Sequence, residues 1–289
     1  MKYKYIKWFS ELEKEDVGIA GGKGANLGEL TRSQVPVPPG FVILSSAYFD
    51  FLEANNLRAQ IKKILTSCDV NDPSQLSSSS KQIQKILGGS DIPSQISSEI
   101  FRAYAQLGSN LSVAVRSSAT AEDLPTASFA GQQESYLNVV GDANLLLKVR
   151  DCWNSLFTAR SIFYREHKGF DHFKVGIAVP VQRQIQSEIS GVMFTTDPIS
   201  QNRDRIVIEA IYGLGDYIVQ GVVTPDHYEV SRTSGKIIAK IVIPQPIMEV
   251  AKLQGVKQVK VPARLQKKSK LTEKQILELA EIGKKIHRH

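Results

Sequence analysis

Between residues 113 and 139 an apolar run, Val113–Val115, ends on a single arginine, Arg116, and is followed by the hydroxyl residues Ser117, Ser118 and Thr120. Two acids, Glu122 and Asp123, and a small-residue turn, Ala127-Ser128-Phe129-Ala130-Gly131, come next. Backbone N–H groups and hydroxyls in such a loop can line an anion, and a guanidinium can fork onto phosphate oxygens with two parallel hydrogen bonds. The combination suits a polyphosphate; it equally suits a polar loop in which Arg116 pairs with Glu122 or Asp123. Lys23 stands in Gly21-Gly22-Lys23-Gly24. This is not the P-loop signature, which needs Gly-x4-Gly-Lys-Ser/Thr. The glycines allow a tight turn and a close backbone approach, and Lys23 can meet phosphate as a point charge. The bland alternative is a flexible loop with a solvated lysine. Glu209, at the end of an apolar strand, and Gln220 are weaker candidates. The acid suits a magnesium neighbour or a structural ion pair.

These residues need elements to hold them. Residues 17–30 read as a Gly-rich loop entering a helix, 41–44 as a strand, and 47–65 as a helix. Residues 71–80, NDPSQLSSSS, read as a polar turn or flexible loop, and 81–87 and 93–107 as helices. Strands at Val113 and at 136–140 flank the Arg116 loop. The pattern Leu145, Val149, Trp153, Leu156, Phe163 predicts one long helix over 142–167, capped by Asp142. After Gly169 short β-branched strands follow, at 175–185, 191–195, 205–210, 228–232 and 236–243. Thr272, with Gln275 three residues on, predicts a capping box opening a last helix. The fold class is α+β (α/β), with a mostly antiparallel sheet in the second half and no internal repeat.

At 289 residues, 42% hydrophobic and 22% charged, the chain suits one large domain or two lobes with a substantial core. Two cysteines, Cys68 and Cys152, make no disulfide framework and read as reduced thiols. The start carries no apolar signal core, and no run approaches a membrane span, so a soluble cytoplasmic protein with no membrane partner is expected. The net charge of +7 is local: residues 250–289 hold 11 Lys/Arg against 3 Glu, a net +8, which leaves about −1 elsewhere. That segment reads as a solvated lysine-rich surface or as an anion-attracting lip beside a nucleotide cleft. It has no interleaved aromatics for stacking bases, so no nucleic acid is expected.

The Arg116 segment resembles the nucleotide-binding loop of the phosphoenolpyruvate synthase (pyruvate, water dikinase) family, which is related to pyruvate phosphate dikinase and rifampicin phosphotransferase. Two further blocks agree in order and spacing. One is residues 21–30, GGKGANLGEL, with Val37-Pro38-Pro39-Gly40-Phe41; the other is residues 208–216, IEAIYGLGD, with Val219-Gln220-Gly221 and Thr224-Pro225-Asp226. The resemblance runs from about Trp8 onward and covers the family's N-terminal ATP-binding part. It implies an ATP-grasp-like architecture, two lobes closing on a nucleotide, divided here as residues 1–180 and 181–289. It implies that Lys23 contacts the phosphates, that Arg116 clamps them and is the catalytic residue, and that Gly131 and Ser135 shape the nucleotide loop. In the strand Val179–Ile185 it places the backbone and Gln182 against the adenine. ATP and Mg2+ are the implied cofactors.

In the family a histidine in a separate swivelling domain receives the phosphoryl group and passes it to pyruvate in a barrel domain. His167, His172, His227, His287 and His289 show no such context, so both domains are expected as partners in cis or in trans. The family's acidic metal-holding motif is expected beyond His289, which leaves the metal ligands unassigned and the second lobe cut short. Thr126 stands where aspartate is common, and Asp216 where glutamate is usual. A rifampicin phosphotransferase-type ATP-binding domain and a stand-alone ATP-binding module serving a separate partner are the alternatives.

Overall fold

A computed structural model describes residues 3–120 and 134–288. The chain is a mixed helix-and-sheet protein that divides into two compact units, Met1–Gln184 and Ile185–His289. Among the described residues no helix is long and apolar enough to cross a membrane.

The first unit is built on an antiparallel sheet of β1 (Ile6–Trp8), β2 (Gly40–Ile43), β3 (Val113–Arg116), β4 (Ser118–Ala119), β5 (Ser135–Val139) and β6 (Ile177–Arg183), in the order β1-β2-β6-β3-β5 with β4 also on β6. Central β6, Ile-Ala-Val-Pro-Val-Gln-Arg, is buried along all but its last residue, which is why its sequence is apolar without alternation. Its Pro180 has no N–H to give to a ladder. The β3–β6 pairing stops at Val115 opposite Val181 and resumes as β4–β6 at Ser118 opposite Ala178. Pro180 lies in that interruption, facing the stretch where Arg116 and Ser117 sit. The strand read from 175–185 therefore belongs to the first unit's sheet.

Seven helices surround this sheet: α1 (Val17–Arg32), α2 (Ser45–Ala54), α3 (Leu57–Thr66), α4 (Pro73–Gly89), α5 (Ser94–Leu107), α6 (Asp142–Asn154) and α7 (Ala159–His167). Their main core gathers Tyr48, Phe51, Tyr104, Trp153 and Phe157 with the sheet's apolar side chains. Four expectations change here. The Gly-rich loop expected to enter a helix within 17–30 is helical from Val17, as α1, interrupted once at Gly21 (φ 67°, ψ 168°). The polar stretch 71–80 is the start of α4: Asp72 accepts N–H bonds from Ser74 and Gln75, Pro73 fills the first helical position, and Ser80 donates to the Phe157 carbonyl at 2.7 Å. The helix expected over 47–65 divides at Asn55–Asn56, where Asn56 is left-handed (φ 50°). The helix expected over 142–167 divides at a 3₁₀ turn, Ser155–Phe157, and restarts where the Thr158 hydroxyl accepts the Ser161 N–H at 3.2 Å. Gly141, and not Asp142, is its N-cap.

The second unit carries the antiparallel sheet the sequence predicts, β7 (Ile189–Phe194), β8 (Arg205–Tyr212), β9 (Asp226–Ser231) and β10 (Ile237–Ile241), in the order β10-β9-β8-β7. A one-turn helix, α8 (Asp216–Val219), follows β8. Ile206, Ile208, Ala210, Tyr228 and Val230 pack against Ile276 and Ala280 of α9 (Glu273–Arg288). The capping box is present: Thr272 N–H meets Gln275 Oε1 at 2.9 Å and Gln275 N–H meets Thr272 Oγ1 at 3.3 Å. A hairpin the sequence reading lacks, β11 (Ile247–Ala251) with β12 (Val256–Lys260), occupies part of the basic segment.

Candidate functional site

Arg116 ends β3 directly opposite Ser135 on β5. The next residue locks that register. Ser117 donates its N–H to the Glu134 carbonyl at 3.0 Å, and its hydroxyl accepts the Glu134 N–H at 2.9 Å. Thr120 makes the matching clasp three residues on: its N–H donates to the Gly176 carbonyl at 3.0 Å, and its hydroxyl accepts the Gly176 N–H at 3.0 Å. Neutral hydroxyl residues thus hold both ends of the Arg116–Thr120 stretch by main-chain contacts.

Lys23 reaches the same place from α1. Its N–H donates to Ser118 Oγ at 3.1 Å, and its ammonium donates to the Ser117 carbonyl at 3.4 Å. The approach needs glycine at position 21. Its φ of +67° disfavours a side chain, and a Cβ there would lie 2.5 Å from the Ser118 carbonyl oxygen and closer still to Ser118 Oγ. Gly24 packs on Val42 and Gly28 on Leu12 in the same way, so the glycines of this block serve close packing within a helix and not looseness.

The structure therefore brings Lys23, Arg116 and Ser135 to one strand end. Lysine and arginine are the residue types that meet a polyanion such as the phosphates of ATP. Gln182 stands on β6 opposite Ala114, two residues back from Arg116. It is 8% exposed, and its amide nitrogen donates to the Pro38 carbonyl at 3.1 Å. Gly131 lies outside the described residues, as do Glu122, Asp123, Thr126 and the rest of the 127–131 turn. Ser118 and Thr120, expected to line an anion, instead bind the main chain at Lys23 and Gly176, and Gly176 went unnoticed. The double serine was visible, but its partners lie about a hundred residues away on one side and more than fifty on the other.

In the second unit Glu209 is part of a row of charges across β8 and β9. Arg205 pairs with Glu229 at 2.7 Å, and His227 lies 3.2 Å from Glu229 through Nε2 and 3.6 Å from Glu209 through Nδ1. Of the two readings of Glu209, this geometry contains the structural pairing. Gln220 donates to Asp216 at 2.7 Å. Burial, and secondarily the charge of Asp216, pushes the Glu249 carboxyl above its usual range. Among the described residues no group of three or more His, Cys, Asp or Glu could hold a metal ion. A magnesium ion chelated by nucleotide phosphates needs only one or two protein carboxylates, so the described residues are compatible with Mg·ATP but form no cage of their own.

The basic segment holds a correction. Lys270 is not part of a solvated surface: its ammonium pairs with Asp226 at 2.6 Å, and both side chains are fully buried. Asp226 also accepts the backbone N–H groups of Ile243 and Lys270 and the Tyr228 hydroxyl. Both cysteines are free, and burial raises the Cys152 thiol pKa well above its ordinary value.

Residues 17–289 match the family model described as pyruvate phosphate dikinase, AMP/ATP-binding domain. The chain is 46% identical to a probable phosphoenolpyruvate synthase of Methanocaldococcus jannaschii over 99% of its own length and 25% of that protein's. It is also 46% identical to the probable phosphoenolpyruvate synthase of Methanothermobacter thermautotrophicus, covering 99% of this chain and 42% of that protein. Identity to the phosphoenolpyruvate synthase of Aquifex aeolicus is 44%, over 98% of this chain and 35% of that protein. The chain thus spans less than half the length of the relatives it matches. It belongs to the pyruvate phosphate dikinase AMP/ATP-binding domain family.

Proposed function

We propose that this chain binds Mg·ATP as the nucleotide-binding region of a phosphoenolpyruvate synthase-like phosphotransferase. Lys23 and Arg116 clamp the phosphates, Ser135 and Gly131 shape the loop around them, and Gln182 faces the adenine through its amide oxygen. The observation that supports this most is the meeting of Lys23, Ser117, Arg116 and Ser135 at one end of the first sheet. In this reading the two compact units are the two lobes of an ATP-grasp fold, at or near the division between residues 180 and 181.

Phosphoryl transfer asks a protein mainly for positioning and for charge stabilisation, and a fixed guanidinium beside an ammonium supplies both. Arg116 would hold the oxygens of the moving phosphoryl group by two parallel bonds, while Lys23 acts as a point charge. Magnesium, brought in on the nucleotide, supplies further neutralisation of phosphate charge. The longer enzyme would pass one phosphoryl group of ATP to a carrier histidine in a swivelling domain and on to pyruvate in a barrel domain, while water takes up the other, so that ATP, pyruvate and water give phosphoenolpyruvate, AMP and phosphate.

The test is a calorimetric comparison of ATP and AMP in the presence of magnesium. If the two cations grip the outer phosphates, ATP binds at least about tenfold more tightly than AMP, a difference of roughly 1.4 kcal/mol. Equal affinity for the two nucleotides would remove Lys23 and Arg116 from the phosphate site.

A further inference from the structure

We propose that Ser118 is a positioning residue of the phosphate site, acting on the nucleotide only through Lys23. This rests on the reading of Lys23 as a phosphate contact and extends it to a residue that touches no ligand itself.

Three observations carry the inference. Ser118 is fully buried, so its hydroxyl is an internal group and not a surface donor to a ligand. That hydroxyl accepts the N–H of Lys23 at 3.1 Å, at the point where the helical run of α1 has just been interrupted at Gly21. The N–H groups near a helix start have no intrahelical partner, and a serine oxygen from another element here does the work of a cap. Third, Gly21 lies so close to Ser118 that no other side chain fits between them. The kink and the hydroxyl therefore form one joint. Ser118 is itself fixed on β6, paired opposite Ala178.

The joint determines where the Lys23 ammonium goes. With the Lys23 backbone tied to Ser118, its ammonium donates to the Ser117 carbonyl at 3.4 Å, beside the residue that follows Arg116 in the chain. Without the tie, the first turn after Gly21 is free to shift, and a long flexible side chain loses the fixed origin that makes its charge useful. A displacement of about 1 Å is enough to weaken a point-charge contact with phosphate.

A double-mutant cycle on the full 289-residue chain tests this. ATP affinity is measured by calorimetry for the wild type, Ser118→Ala, Lys23→Ala and the double variant, with melting temperatures alongside. Ser118→Ala is expected to weaken ATP binding roughly 2- to 10-fold, the range of one neutral hydrogen bond. Lys23→Ala should weaken it about 10- to 150-fold, as for a charge-assisted contact. In the Lys23→Ala background the Ser118→Ala effect should vanish, because the group it positions is gone. Additive losses would overturn the proposal, as would an unchanged affinity in Ser118→Ala. If Ser118→Ala does not fold, Ser118→Cys, nearly the same shape but a weak acceptor, takes its place in the cycle and is judged by the same two outcomes. A wild type that does not bind ATP would instead refute the nucleotide-binding reading, and is separable from a failure of the cycle.

Discussion

Two junctions in this molecule solve the same problem by different means. In the first unit, α1 is joined to the sheet by uncharged groups: Gly21 against Ser118, with hydroxyl–main-chain clasps at Ser117 and Thr120. In the second, β9 is joined to the segment before α9 by a fully buried Asp226–Lys270 pair with main-chain donors around it. The neutral junction carries little desolvation cost and sets Lys23 and Arg116 near the end of β3. The charged junction neutralises itself and presents nothing to a ligand. The two differ in where their charge lies: sealed in the core at Asp226–Lys270, and beside the Ser117 carbonyl at a strand end for Lys23.

Breaking the charged junction should cost most. Lys270→Met strands the Asp226 carboxylate in the core, and loss of one partner of a buried pair typically costs about 3–5 kcal/mol. Urea unfolding monitored on the second unit should show a drop of that size; a stability equal to wild type would mean that the pair does not organise the unit. Next comes Gly21→Ala. A left-handed backbone and an overpacked contact together predict a loss of about 2–4 kcal/mol. Gly18→Ala, in the same helix but with nothing within 4 Å of the added methyl, should be neutral or stabilising by up to about 1 kcal/mol. Similar losses at both positions would contradict the close-approach account of Gly21.

Ser117→Ala and Thr120→Val remove one clasp each and should cost about 1–2 kcal/mol apiece, because each leaves a main-chain N–H without its acceptor. The smallest effect is on pH dependence. In the first unit Arg165, fully buried, donates through Nε to His172 Nδ1 at 2.9 Å, and His172 Nε2 faces Glu166 at 3.0 Å. Burial, then the Arg165 charge, lowers the His172 pKa. The contribution of neutral His172 is therefore complete above its unfolded pKa of about 6.5 and is lost as pH falls through the lower folded value. His172→Gln should flatten that acid-side loss in stability measured from pH 7 to 5; an unchanged profile would place the acid sensitivity elsewhere.

What the sequence revealed follows from how local each signal is. The strands at Val113 and 136–140, the antiparallel second sheet and the Thr272–Gln275 box are set by neighbouring residues, and all are present. Residues 71–80 were misread because serine and asparagine suggest a loop, although Asp72-Pro73 is itself a helix-start signal that composition obscured. The Gly21–Gly24 block left close approach and looseness both open, because glycine smallness and glycine freedom look alike in one sequence, and only the position of Ser118, 97 residues away, tells them apart. The Asp226–Lys270 pair spans 44 residues with no pattern between them, so Lys270 could only be counted among the surface lysines.

In the proposed function the neutral junction holds Lys23 and Arg116 in place for phosphate. The most direct test is calorimetric titration of Mg·ATP into wild type, Arg116→Ala and Lys23→Ala, with melting temperatures measured on the same samples. A loss of about 10- to 150-fold in affinity is expected for each variant with nearly unchanged melting temperature, as for a charge-assisted contact with the nucleotide. Wild-type affinity in both variants, or a loss explained entirely by unfolding, would contradict it.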